Sequence, residues 1–172
     1  MRKSLHLPVV AILLLGAAGS TRALELGGAV GVTGQGDMTY RVGLALDWRQ
    51  AWWKTGLGHV GGYWDAGYTY WEGGDYAGAH SLSLSPVFVY QFAGGSIQPF
   101  VELGVGVAFF SKTRVGDKRL GSSFNFENRI GVGVRLAGGH RIGLRASHYS
   151  NAGIEEPNDG IESYALYYNH SF

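Results

Sequence analysis

The 172-residue chain has no cysteine and only four prolines. Without cysteine there is no disulfide framework, and metal sites built on thiolates are excluded. Charge of one sign is missing too: 14 Lys and Arg stand against 13 Asp and Glu, a net +1. That balance lacks the basic excess with which proteins capture nucleic acid. Past the N-terminus there is no long apolar run, and no segment with the 3.6-residue period of an amphipathic helix. What is abundant is glycine, 29 residues, and aromatics, 5 Trp, 10 Tyr and 8 Phe. So many glycines are costly in helices but tolerable in strongly curved sheets, where backbones approach closely.

The N-terminus is set apart from the rest. Arg2 and Lys3 give a positive start, an apolar run covers Leu7 to Ala18, and small residues lead to Thr21-Arg22-Ala23. This is the layout of a secretory signal peptide, and the run is too short to span a membrane as a helix. No stop-transfer pattern follows, which argues against a retained anchor. The expected organisation is therefore a signal peptide over 1–23 and one domain over 24–172.

Within that domain apolar and polar residues alternate with a period of two, broken by turn residues. Eight strands are expected, near 25–33, 38–48, 58–72, 80–92, 97–111, 122–137, 141–151 and 161–172. On the second, Tyr40, Val42, Leu44, Leu46 and Trp48 share a face against Arg41, Gly43, Ala45 and Asp47. On the fifth, Val101, Leu103, Val105, Val107 and Phe109 oppose Glu102, Gly104, Gly106 and Ala108. One face is thus large and apolar, the other small, polar or charged.

A soluble sandwich would bury the apolar face. The export signal, the even strand count and strands of membrane-spanning length favour the opposite arrangement. Hydrocarbon demands that every backbone group be paired, which strands achieve only in a closed barrel. The expected fold is all-β: an eight-stranded antiparallel transmembrane barrel of the outer-membrane type, apolar face to lipid. Eight strands leave little room for a pore. Glu102, Glu127, Arg41, Arg129, Arg135 and Arg145 are therefore expected as a packed polar core rather than a channel lining. The links near 93–96 and 138–140 are short and those near 73–79, 112–121 and 152–160 longer, so the short ones face the periplasm. The link near 49–57 is on the short-turn side yet long; its Trp52, Trp53 and Lys54 suit the inner membrane interface.

The last hairpin carries the chemistry. His148 and Ser150 are two apart on a strand and share a face with Ala146, Leu144 and Ile142, the lipid side. Glu162 shares its parity with Tyr164, Leu166 and Tyr168, again outward. Polar groups aimed at lipid cost free energy, so three together on an apolar stripe need a reason. A serine nucleophile needs a base, and the base needs an orienting group. Ser150, His148 and Glu162 fill those roles. The alternative is an ordinary polar rim near the headgroups, since His-x-Ser is short and no Gly-x-Ser-x-Gly elbow is present.

Several stretches resemble the lipid A 3-O-deacylase family, PagL. They are Thr33-Gly-Gln-Gly-Asp-Met-Thr-Tyr-Arg, Tyr63-Trp-Asp-Ala-Gly-Tyr-Thr-Tyr-Trp-Glu-Gly-Gly-Asp, His148-Tyr-Ser-Asn-Ala-Gly and Pro157-Asn-Asp-Gly-Ile-Glu-Ser-Tyr. The resemblance covers the chain after the signal segment and implies an outer-membrane enzyme that removes the 3-hydroxyacyl chain esterified at position 3 of lipid A. The family triad, a His, a Ser two residues later and a Glu on the last strand, maps onto His148, Ser150 and Glu162. Oxyanion or substrate-binding donors expected with it are Asn151, Gly153 and Asn158, whose bland reading is turn chemistry. The implied partners are lipid A or lipopolysaccharide in the outer leaflet and membrane lipids, with a homodimer left open, no nucleic acid, and no metal or organic cofactor.

Other residues are open to two readings. Tyr63, Trp64, Tyr68, Tyr70 and Trp71 suit an aromatic girdle or a sugar site. Lys112, Arg114, Lys118 and Arg119 occupy an outward loop, solvated or facing lipid A phosphates. Asp37, Asp75 and Asp159 are loop acids, and His59, His80, His140 and His170 have no metal-ligand spacing. Rival functions are a non-catalytic barrel that stabilises the membrane or adheres to surfaces, a narrow pore, and a different lipid esterase or acyltransferase.

Overall fold

A computed structural model describes residues 24–172. The expected signal segment over 1–23 lies outside the described residues. In chain order the strands are β1 (Leu24–Thr33), β2 (Met38–Asp47), β3 (Trp52–Thr55), β4 (Gly58–Trp71), β5 (Ala79–Phe92) and β6 (Ile97–Phe110). They continue as β7 (Arg114–Val115), β8 (Lys118–Arg119), β9 (Phe124–Leu136), β10 (His140–Ser150) and β11 (Ile161–Ser171).

Eight of these close into an antiparallel barrel in the order β2-β1-β11-β10-β9-β6-β5-β4, with β2 pairing back to β4. Closure removes the sheet edges, the condition hydrocarbon imposes. The expected strands match to within a few residues. The long link on the short-turn side is explained by β3, which folds back on the start of β4 through Trp52↔Val60 and Thr55↔Gly58. It is a hairpin below the barrel, with Trp53 and Leu57 exposed. The long loop before β9 likewise carries a small two-stranded sheet, β7 with β8.

Parity is as expected. Val42, Leu82, Val105, Leu144 and Leu166 all point outward and are exposed. The inward residues form layers. At the end bearing the longer loops, Trp71, Phe110, Val115, Leu120, Tyr149 and Ile161 pack as an apolar plug. Below it lies the charged core. Asp65 pairs with Arg41 at 2.5 Å and Arg129 at 2.9 Å. Glu127 accepts from Arg129 at 2.6 Å, Ser85 at 2.7 Å and Tyr149 Oη at 3.1 Å. Glu102 accepts from Tyr63 at 2.6 Å, Tyr167 at 3.0 Å and Arg145 Nε at 3.0 Å. Glu25 meets Arg141 and Arg135, and Arg135 reaches Asp47 at 3.2 Å.

Five guanidinium groups thus face five carboxylates, as buried charges require if they are to stay charged. Gly67 makes part of the room: the Arg41 guanidinium lies where a side chain at position 67 would stand. Voids within this core measure about 20 and 10 Å³. Each is space for about one water, so the middle of the lumen is filled rather than open. Two aromatics expected at the surface are inside instead. Tyr63 and Trp71 are fully buried, while Trp64, Tyr68 and Tyr70 face outward. Tyr63 stands one register step from Trp64, and its hydroxyl is needed by Glu102.

Candidate active site

The pairing of β10 with β11 sets His148 directly opposite Glu162. Their side chains meet, with His148 Nδ1 2.9 Å from Glu162 Oε1. Both are partly open to the barrel exterior, at 45% and 37% exposure. Ser150 is the next residue of that face on β10, two positions on, at a rise of about 3.3 Å per residue. The carboxylate occupies Nδ1, which leaves Nε2 for a second partner. The outward residues alternate with anchored inward ones. Tyr149, between His148 and Ser150, is buried in the plug and donates to Glu127. Ile161, beside Glu162, is buried in the same cluster. The backbone under the three side chains is thus fixed from inside the barrel.

The loop from 151 to 160 closes this end. Asn151 is fully buried and is its hub. Its Nδ2 donates to Leu120 O at 2.8 Å and Glu155 O at 2.7 Å. Its Oδ1 accepts the Gly153 N–H at 2.8 Å, and its own N–H goes to Asn158 Oδ1 at 3.1 Å. Asn158 therefore enters the hub through its oxygen. The β7–β8 hairpin is sewn to this loop, since Asp159 N donates to Arg119 O at 2.9 Å and Arg119 N to Asp159 Oδ2 at 2.8 Å. Of the loop cations, Lys112 is held by Gly78 O at 2.7 Å and Arg114 lies over the Tyr76 ring at 4.2 Å.

Two residues escape the sequence reading. Gly160 has φ +65, and a Cβ there would stand 2.8 Å from His148 Cε1. The imidazole rests against the bare backbone of this glycine. The signal was a lone glycine before the last strand, which reads equally well as a turn. The second is Asn128, across from His148 on the other side, on β9. It is exposed on the outward face. Its parity with Phe126 and Ile130 is legible, but one polar residue in an apolar stripe is too weak a signal to mark a site.

Beneath His148 the outer wall is scooped. A shallow groove of about 490 Å³ is lined by Ile130, Val132, Leu144, Ala146, Tyr164 and Leu166. Ala146, flanked by Ile130 and Tyr164 on the neighbouring strands, is its small floor. Two of the other histidines serve elsewhere: His80 Nδ1 meets Tyr68 Oη at 2.6 Å, and His140 Nδ1 meets Tyr168 Oη at 2.8 Å. Among the described residues no three His, Asp or Glu side chains gather as metal ligands.

Residues 34–171 match the family described as lipid A 3-O-deacylase (PagL). The chain belongs to this family. It is 61% identical over 169 residues to the lipid A deacylase PagL of Pseudomonas aeruginosa, covering 98% of both chains. It is 40% identical over 103 residues to the protein of that name from Bordetella bronchiseptica, covering 60% of this chain and 57% of the other. The crystal structure of the outer membrane enzyme PagL superposes with a TM-score of 0.85 at 63% identity, over 86% of this chain and 99% of that one. The PagL fold is shared more widely. A de novo designed transmembrane β-barrel matches with a TM-score of 0.57 at 10% identity, over 90% of this chain and 98% of the other. The hydrolytic constellation is not implied by that likeness, which is one of fold.

Proposed function

We propose that this outer-membrane barrel, a member of a family of lipid A 3-O-deacylases, cleaves its ester with Ser150 as nucleophile, His148 as base and Glu162 as the orienting acid. The observation that carries the reading is the 2.9 Å contact between His148 Nδ1 and Glu162 Oε1 on the outer wall. A carboxylate at Nδ1 favours the tautomer with the proton there, which leaves the Nε2 lone pair free to take a proton from the serine.

Lipid A reaches the site laterally from the outer leaflet, its acyl chain lying down the groove over Ala146. Ser150 Oγ attacks the ester carbonyl while His148 Nε2 takes its proton, and Glu162 stabilises the imidazolium. Collapse of the tetrahedral intermediate returns that proton to the departing sugar oxygen. An acyl-enzyme remains on Ser150. Water, activated by the same imidazole, then releases a 3-hydroxy fatty acid. For the oxyanion we assign the Asn158 amide NH2, because the Asn151 amide and the Gly153 N–H bond within the loop. Asn151 and Gly153 then act by holding Asn158 in place, and Gly153 turns its N–H to the oxyanion only if the loop shifts on binding. All these side chains come from one chain, so nothing in the reading requires a homodimer. Export with removal of residues 1–23 is part of the same reading.

The test is Ser150→Ala, with loss of one 3-hydroxyacyl unit from lipid A followed by mass spectrometry. The variant is expected to be inactive while migrating as a folded barrel. Release of the acid at the wild-type rate would remove Ser150 from the mechanism.

A further inference from the structure

Asn128 projects from β9 onto the lipid-facing wall, and none of its neighbours there satisfies it. Its register partners are His148 on β10 and Val105 on β6. Along its own strand the outward neighbours are Phe126 and Ile130. Val105 and Ile130 are both exposed apolar residues of the wall. The Asn128 amide makes no hydrogen bond to protein among the described residues, although it carries both a donor and an acceptor. A polar group left unpaired against an apolar surround is unfavourable. Its place is equally specific. It lies at the level of His148, one outward position below Ser150, on the β9 flank of the groove that begins at Ile130 and Ala146.

We infer that Asn128 is a specificity-determining residue that hydrogen-bonds the 3-hydroxyl group of the acyl chain being removed. This rests on the Ser150–His148–Glu162 reading. With the carbonyl carbon at Ser150 and the chain descending toward Ala146, the first carbons pass the level of His148 and Asn128. The hydroxyl sits two carbons from the carbonyl, so it is the polar group delivered to that level. An amide suits it, since it can donate to the hydroxyl oxygen and accept its proton. A chain without the hydroxyl leaves the amide unpaired, which is how a site built to bond an OH rejects the analogue lacking it.

The experiment uses the full chain in detergent micelles and two synthetic probes: a glucosamine 3-O-(3-hydroxyacyl) ester, and the same ester without the hydroxyl. Asn128→Leu places an apolar side chain on the lipid face, a change a transmembrane barrel accepts readily, and heat-modifiable gel migration reports folding. The wild type should favour the hydroxylated probe in kcat/KM by about tenfold or more, the worth of about one hydrogen bond at a partly open site. Asn128→Leu should lose that advantage while its rate on the other probe stays within about twofold of wild type, and Asn128→Gln should restore part of the preference. Equal loss on both probes, no loss on either, or a wild type indifferent to the hydroxyl each overturns the inference. Failure of the triad reading shows separately, as activity of Ser150→Ala on both probes.

Discussion

Glu162 offers the sharpest quantitative test, because its two simplest replacements should differ in an order the geometry dictates. The carboxylate accepts a hydrogen bond from His148 Nδ1 at 2.9 Å and touches the substrate nowhere in the proposed reaction. A hydrogen bond to a charged partner contributes about 1.5–3 kcal/mol. At about 1.4 kcal/mol per decade of rate, its loss costs about 10- to 100-fold in kcat. With 37% of the Glu162 side chain exposed, water can enter the space left by Glu162→Ala and accept from Nδ1, which places that variant at the lower end. Glu162→Gln is different. Its amide can donate to Nδ1, which puts the imidazole proton on Nε2, facing Ser150, where the base needs a lone pair. In buried triads the corresponding acid-to-amide change costs about 10⁴-fold; at this half-open site about 10²- to 10³-fold is expected. Gln should therefore be worse than Ala, although it is the more conservative change.

The assay is release of 3-hydroxy fatty acid from lipid A in mixed micelles, with kcat and KM separated. KM should stay near the wild-type value in both variants, since the interaction is made to the base and not to substrate. A Gln variant faster than the Ala variant would refute the tautomer argument. Both variants within about twofold of wild type, with Ser150→Ala inactive, would remove Glu162 from the mechanism altogether.

Two further changes test the support around the triad. Gly160→Ala sets a Cβ 2.8 Å from His148 Cε1, and the ring is the part that can yield; kcat should fall about 10- to 100-fold as the base leaves its position. Gly36→Ala is its control, with φ +95 but open space around the new Cβ, and should keep wild-type kcat. Glu102→Leu leaves the buried Arg145 guanidinium without its carboxylate; the barrel should lose about 3–5 kcal/mol, read as a lower urea midpoint for the folded band on cold gels, and an unchanged midpoint would count against the charged core as a cooperative unit.

The barrel was legible because each spanning strand has two faces with opposite solvents, so period-two alternation is nearly uninterrupted. Parity alone carried His148, Ser150 and Glu162 to the outer wall, and register, which parity does not give, placed His148 opposite Glu162. What escaped were features made by distant parts of the chain. Asp65 sits within an aromatic run; Arg41 meets it from the paired strand β2, but only closure of the barrel brings Arg129 to it across the lumen. Tyr63 reads as a girdle residue until Glu102 is found at its hydroxyl. The β7–β8 hairpin has two residues per strand, too few for any periodic signal. Its bonds to the 151–160 loop depend on two connections meeting above the barrel. The Asn151 hub was hidden for a similar reason: an Asn next to Ala-Gly announces a turn, not which carbonyls its amide will take.

The proposed triad would have to work on an outer wall, and the arrangement of the strands bears on how it could. In a soluble hydrolase the reacting side chains are fixed by packing on every side within a cleft. Here the outward side is given over to lipid, so the constraint must come through the strands. Tyr149 and Ile161 alternate with the three outward residues and are held in the plug. Tyr149 is further tied to Glu127, and Glu127 to Arg129 and Ser85. Such buried charge is a poor source of net stability compared with apolar packing of the same volume. Its directional bonds do tie the inward side chains of β5, β9 and β10 to one another beneath His148 and Ser150. A lumen repacked with apolar residues would leave the barrel closed and free the outer residues to wander by the fraction of an ångström that catalysis cannot tolerate. In the proposed mechanism the filled polar core therefore has a positioning role, exerted on the triad from the far side of the wall.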